Sequence, residues 1–280
     1  MPWYENFSGQ RLWYEDQGSG TPVLLLHGWC MTSSVWRLQQ GSLSADFRII
    51  TPDLRGFGKS SSITDNCNLE NFVSDTLALV ERLRLSSLIL AGWSMGAEVA
   101  VMAARTISVP VSGLVLISGT PSFSLRDDFP YGLGRVESEG MALKVRRNVK
   151  RAFAGFTANL FAPGELDDPA VAESVNGILS SLPTPDISVA LQTLKSLSES
   201  DIRPLFEDLD LPTLIINGDN DPICLPGASQ WMADRISSSS HKIFSGAGHA
   251  PFLTMPDKFN NCLRHFIDQL QLRSSGEQNC

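Results

Sequence analysis

The sequence predicts an α/β fold: a mainly parallel sheet with helices on both faces and a helical insertion. Three observations lead there. Short apolar runs alternate with segments of helical spacing through the first half of the chain. That rhythm stops after Gly119 and resumes at Pro212. A serine flanked by glycines, Gly92-Trp93-Ser94-Met95-Gly96, stands between one such apolar run and an amphipathic one.

Arg11 to Glu15 alternates as a half-exposed strand does. Val23-Leu24-Leu25-Leu26 is continuously apolar, the pattern of a strand buried on both faces. A helix is expected from Val35 to Leu43 and a strand from Phe47 to Pro52. Phe72, Leu77, Val80 and Leu83 recur at helical spacing within Leu69 to Leu83. Leu88 to Ala91 is the strand before the serine, and Ala97 to Arg105 the helix after it. Gly113 to Ile117 is the next strand. From Pro121 to Ser200 the patterns are helical. Pro212 to Asn217 restores the strand signal, followed by a helix over Leu225 to Ile236, a strand at Lys242 to Phe244 and a closing helix over Lys258 to Leu270. The polar end, Arg273 to Cys280, is expected to fray. The division expected is a core of 1–120 with 201–280, and a helical cap of 121–200 over the carboxyl ends of the strands, where open α/β sheets bind ligands.

Bulk properties narrow the function classes. The formal net charge is −8, which argues against general nucleic-acid binding. No apolar run approaches a membrane span, and Met1 to Asn6 lacks the basic start and apolar core of a signal peptide. The five cysteines show no C-x-x-C and no zinc spacing. Free thiols in a reducing cytoplasm are the expectation.

The pattern around Ser94 is that of a nucleophile elbow. Such a turn is tight enough to strain the serine backbone and to exclude bulky side chains two residues to either side. It lifts the hydroxyl out of the turn, and the helix beneath offers N–H groups to a developing anion. Partners lie after two later strands, in Gly218-Asp219-Asn220-Asp221 and in Gly246-Ala247-Gly248-His249. Serine, acid, histidine is the chain order of the α/β-hydrolase triad. Ser94 would attack a carbonyl carbon, His249 would carry the proton, and Asp221 would orient the imidazole. Asp219 competes for the acid role, and spacing does not decide between them. No further oxygen ligands cluster there, so no metal is expected.

His27-Gly28-Trp29 follows the Leu-rich strand. A backbone N–H of Trp29 would join that of Met95 in an oxyanion hole. His27 reads as a pin for this loop. Gly56-Phe57-Gly58 lacks the rest of a dinucleotide fingerprint and reads as a turn. The chemistry calls for no cofactor.

Together these residues resemble the α/β-hydrolase superfamily over nearly the whole chain. A closer resemblance is to the pimeloyl-acyl-carrier-protein methyl ester esterases of biotin synthesis. It lies in Leu26-His27-Gly28-Trp29, Val35-Trp36, Asp53-Leu54-Arg55-Gly56-Phe57-Gly58, the elbow itself, and Ala247-Gly248-His249-Ala250-Pro251-Phe252. The resemblance implies a triad of Ser94, Asp221 and His249. It also implies an acyl pocket and oxyanion hole at Trp29 and Met95, with a cap aromatic, Phe153 or Phe156, against the substrate.

Arg135, Lys144, Arg146, Arg147, Lys150 and Arg151 crowd a short part of the expected cap. Such a cluster is either a solvated helix face or a docking patch for an acidic partner. The resembling family uses cap arginines to dock acyl carrier protein, which points to Arg147 and Arg151. The expected function is a monomeric, cytoplasmic serine carboxylesterase that removes the methyl ester of pimeloyl-acyl carrier protein through an acyl-enzyme. A broader short-chain carboxylesterase or thioesterase is the enzymatic alternative. A ligand receptor built on the same fold is the non-enzymatic one, because fold does not fix function.

Overall fold

The computed structural model describes residues 2–277. Its centre is an eight-stranded sheet in the order β1-β2-β4-β3-β5-β6-β7-β8. The strands are β1 (Trp3–Glu5), β2 (Arg11–Gln17), β3 (Pro22–Leu26), β4 (Arg48–Pro52), β5 (Leu88–Trp93), β6 (Val111–Ile117), β7 (Thr213–Gly218) and β8 (Ser239–Phe244). Only the β1–β2 and β2–β4 pairings are antiparallel.

The apolar run of β3 is buried on both faces because alternate side chains enter different cores. Leu24 and Leu26 pack with Leu88, Leu90, Leu114 and Leu116. Val23 and Leu25 pack with Ile89, Ala91, Val115 and Ile117. Helices α2 (Leu69–Arg82) and α3 (Met95–Ala104) cover the first of these faces, and α1 (Arg37–Leu43) with the long closing helix (Pro256–Glu277) covers the second. The expected helix from Val35 begins instead as a 3₁₀ turn at Ser33–Trp36. Thr32 opens that turn by accepting from the Ser34 N–H.

Between β6 and β7 lie α4 (Arg135–Arg147), α5 (Val149–Ala158), α6 (Pro169–Leu179) and α7 (Ile187–Glu199). Side-chain caps start three of them: Asn148 for α5, Asp168 before Pro169 for α6, and Asp186 for α7. The segment is not purely helical. Isolated bridges join Ser124 to Leu133 and Arg126 to Phe129. Its two ends meet where the Ile202 N–H donates to the Pro121 carbonyl at 2.9 Å.

After β7 come α8 (Pro226–Ala233), a short α9 (Pro251–Thr254) and the closing helix α10. The backbone of α10 is helical through Glu277, beyond the Leu270 limit expected. Residues 278–280 of the expected frayed end lie outside the described residues. Among the described residues no helix is long and apolar enough to cross a membrane.

Candidate active site

Ser94 sits between the end of β5 and the start of α3 with φ 55° and ψ −119°. That left-handed backbone is costly for a side chain other than glycine. The glycines around it have no alternative. A Cβ on Gly92 would lie 2.0 Å from the Gly96 carbonyl oxygen, and one on Gly96 2.4 Å from that of Leu26. The serine is only half-buried, whereas its neighbours on both sides are buried.

His249 is wholly buried and held on three sides. Its N–H donates to the Leu160 carbonyl at 2.7 Å. Its carbonyl accepts from the Trp93 indole at 2.8 Å. Its Nδ1 donates to Asp221 Oδ2 at 2.8 Å, which leaves Nε2 as the acceptor nitrogen. That Nε2 has no hydrogen-bond partner among the described residues. The thiol of Cys224, which lines the same cavity as Ser94, is pushed well up from its ordinary range by burial.

The geometry separates the two aspartates. Asp221 is buried, and its Oδ1 accepts from the N–H groups of Ile223 and Cys224 at 2.9 and 3.0 Å. Asp219 turns away and accepts from the Ser245 hydroxyl at 3.0 Å and the Gly246 N–H at 2.7 Å. Its role is to shape the loop before His249.

The loop of His27, Gly28 and Trp29 passes directly beside the serine. A Cβ on Gly28 would stand 3.3 Å from Ser94 Cβ. His27 donates from Nδ1 to the Gly28 carbonyl at 2.9 Å and accepts at Nε2 from the Leu54 N–H at 3.0 Å. Burial lowers its pKa, so the ring stays neutral and pins two loops together. The Trp29 indole donates to Thr193 Oγ1 at 2.9 Å, which ties the loop to α7.

Above Ser94 opens a cavity of about 940 Å³, lined among others by Trp29, Met95, Phe156 and Cys224. Phe156 meets the Trp29 ring edge to face at 5.0 Å. Phe153 does not line the cavity; it packs, partly buried, against the two cores. Lys144, Arg147 and Arg151 line the cavity from α4 and α5. Arg135 is set apart from them by its pairing with Glu139 at 2.7 Å.

Three features have only a faint signature in sequence. Glu98 is the single charge in the apolar helix α3, and it lies 1% exposed against the cavity. Glu165 Oε2 accepts from the Ala162 and Gly248 N–H groups, both at 2.7 Å, while its Oε1 accepts from the Thr254 hydroxyl. Arg55 forms a buried bidentate ion pair with Asp75, its Nε and Nη2 each donating to a carboxylate oxygen at 2.6 Å.

Residues 21–256 match the family model for the alpha/beta hydrolase fold. The chain belongs to that family. The hydrolase is 32% identical over 250 residues to a pimeloyl-[acyl-carrier protein] methyl ester esterase of Nitrosomonas europaea, covering 89% of this chain and 96% of that one. It is 30% identical to a putative non-heme chloroperoxidase of Synechocystis, over 94% of this chain and 97% of that one. An esterase from Exiguobacterium antarcticum has the same fold at a TM-score of 0.86 and 25% identity, covering 95% and 98% of the two chains. Family and relatives together make this α/β hydrolase a carboxylic ester hydrolase.

Proposed function

We propose that the hydrolase removes the methyl ester of pimeloyl-acyl carrier protein in the reducing cytoplasm. In this reading Ser94, His249 and Asp221 form the triad, and 121–200 is a cap over the substrate. The observation that carries the chemistry is the buried 2.8 Å bond from His249 Nδ1 to Asp221 beside a strained Ser94. Supporting the substrate are the relatives of that name at about 30% identity.

The Ser94 hydroxyl gives up its proton to His249 Nε2 and attacks the ester carbonyl carbon. The N–H groups of Trp29 and Met95 receive the oxyanion. No acceptor among the described residues takes the Trp29 N–H. The tetrahedral intermediate collapses as His249 protonates the departing methoxide. A water, deprotonated by the same nitrogen, then attacks the acyl-serine and releases the acid. Phe156 packs along the acyl chain, and Lys144, Arg147 and Arg151 face the acidic carrier protein.

The test compares methanol release from pimeloyl methyl ester free and on the carrier protein. Preference for the carrier-bound form, lost with Ser94→Ala, is the expected result. Brisk hydrolysis of unrelated short esters without that preference would leave a general carboxylesterase.

A further inference from the structure

The floor of the cavity contains a carboxyl that the ester chemistry does not use. Glu98 stands in the first turn of α3, four residues after Ser94, and both residues line the cavity. The residue is 1% exposed, yet its Oε2 finds no hydrogen-bond partner among the described residues. Met95, Phe123, Leu194 and Leu197 line the same cavity, so the surroundings are largely apolar. A buried polar atom without a partner is destabilising and uncommon. One turn from a nucleophile, it is an atom whose partner arrives with the substrate.

We propose that Glu98 is a specificity-determining residue whose carboxyl donates a hydrogen bond to an acceptor oxygen on the acyl chain of the substrate. The inference rests on the ester-hydrolase reading with Ser94 as nucleophile. Donation requires the protonated form, and the surroundings favour it. Burial pushes the Glu98 carboxyl up to about 8, with Ser200 as a hydrogen-bonding neighbour that lowers it and Asp201 adding negative charge. Asp201 is itself held by Arg203 at 2.8 Å and Arg126 at 3.3 Å, which leaves those cations less able to ionise Glu98. Cys224, on the loop after β7, faces Glu98 as a neutral thiol. The charges of α4 and α5 that line the cavity are Glu137, Lys144, Arg147 and Arg151, all at least a third exposed and screened by solvent. An acyl chain with an ester, keto or hydroxyl oxygen in reach would be preferred over a plain alkanoyl chain.

The experiment uses dimethyl esters of the dicarboxylic acids from malonate to pimelate, each against a methyl alkanoate of matched length. Methanol release is followed for wild type, Glu98→Gln and Glu98→Leu, with a melting curve for each protein. At one chain length the wild type should prefer the diester by about tenfold in kcat/KM, the worth of one hydrogen bond. Glu98→Leu should lose that preference, and Glu98→Gln, which still donates, should keep most of it. The wild-type preference should decline as the pH passes about 8, while that of Glu98→Gln should not. Equal preference in wild type and Glu98→Leu at every length, or a wild-type preference unchanged at high pH, would overturn the role of Glu98 and leave the esterase standing. Release of methanol from neither series by wild type would overturn both.

Discussion

The carbonyl of Leu160, in the insertion, accepts the backbone N–H of His249 at 2.7 Å. The histidine loop is thus fastened to the segment above it and not only to the sheet below. Glu165 adds the Gly248 N–H and the Thr254 hydroxyl to the same seam. A Cβ on Gly248 would reach the Leu160 carbonyl at 2.6 Å, so the two strands of chain are in close contact there.

Glu165→Ala should therefore act on catalysis from a distance. It frees a backbone donor next to His249 and should lower kcat about 10- to 100-fold through misplacement of the ring. Melting should register a loss of about 2 kcal/mol, the scale of hydrogen bonds to a charged group. Steady-state kinetics with a chromogenic ester would check it. An unchanged kcat with the stability loss alone would confine Glu165 to a structural role.

Asp221→Asn should reduce kcat by about 10,000-fold with little change in KM, because the amide favours the wrong imidazole tautomer. Asp219→Asn should have a far smaller effect, since its oxygens hold Ser245 and Gly246 rather than the ring. Comparing the two rates separates the roles of these neighbouring acids.

Gly92→Ala should destabilise the protein by about 3 kcal/mol, because the added Cβ would lie 2.0 Å from the Gly96 carbonyl oxygen, a backbone atom that cannot swing aside. Gly177→Ala offers the opposite case. That glycine lies exposed within α6 with nothing within 4 Å of an added Cβ, so alanine should stabilise by about 0.5–1 kcal/mol. Urea unfolding measures both.

Glu98 gives stability a pH dependence. Its pKa rises from 4.5 in the open chain to about 8 when folded. Between those values the folded state binds the extra proton, so its contribution is full below 4.5 and is lost as the pH rises through 8. Glu98→Gln, which has no proton to lose, should melt higher than wild type at pH 9 and should gain less at pH 5. Differential scanning calorimetry at the two values decides it.

Charge reversal at Arg147 and Arg151 should raise KM for a carrier-bound ester and leave small esters nearly unaffected. Both residues are exposed and line the cavity. Attraction of this kind weakens with salt, so the wild-type KM should also rise with ionic strength. Equal effects on both substrate types would reject the docking surface.

Most of the sheet was legible because its information is local. Continuous apolar runs such as Val23 to Leu26 report burial on two faces, and the helices between them report their spacing. The elbow was legible partly for a related reason: Gly92 answers a contact with Gly96 within five residues of chain, whereas Gly96 answers the distant Leu26 carbonyl. β1 was not, since three residues hold no period and their pairing is set by Trp13, Leu12 and Arg11. Spacing narrowed the proposed acid to a loop and only the family resemblance pointed to Asp221, because the turn between Asp219 and Asp221 decides which carboxylate points toward His249. Phe153 and Phe156, one helical turn apart in near repetition, differ in a rotation about the α5 axis that the loosely patterned segment does not report. The Leu160 and Glu165 seam joins positions more than eighty residues apart and leaves no periodic trace.

That seam has a consequence for how new activities could arise on this scaffold. Insertions over an α/β sheet look like interchangeable modules, free to be exchanged for others with different pockets. Here a transplanted segment would also have to supply a carbonyl and a carboxylate at the places of Leu160 and Glu165. Without them His249 would lose its bearing along with the old specificity. Shuffling confined to α4 and α5, with 160–165 retained, is the route by which the substrate could be altered while the hydrolytic engine keeps running.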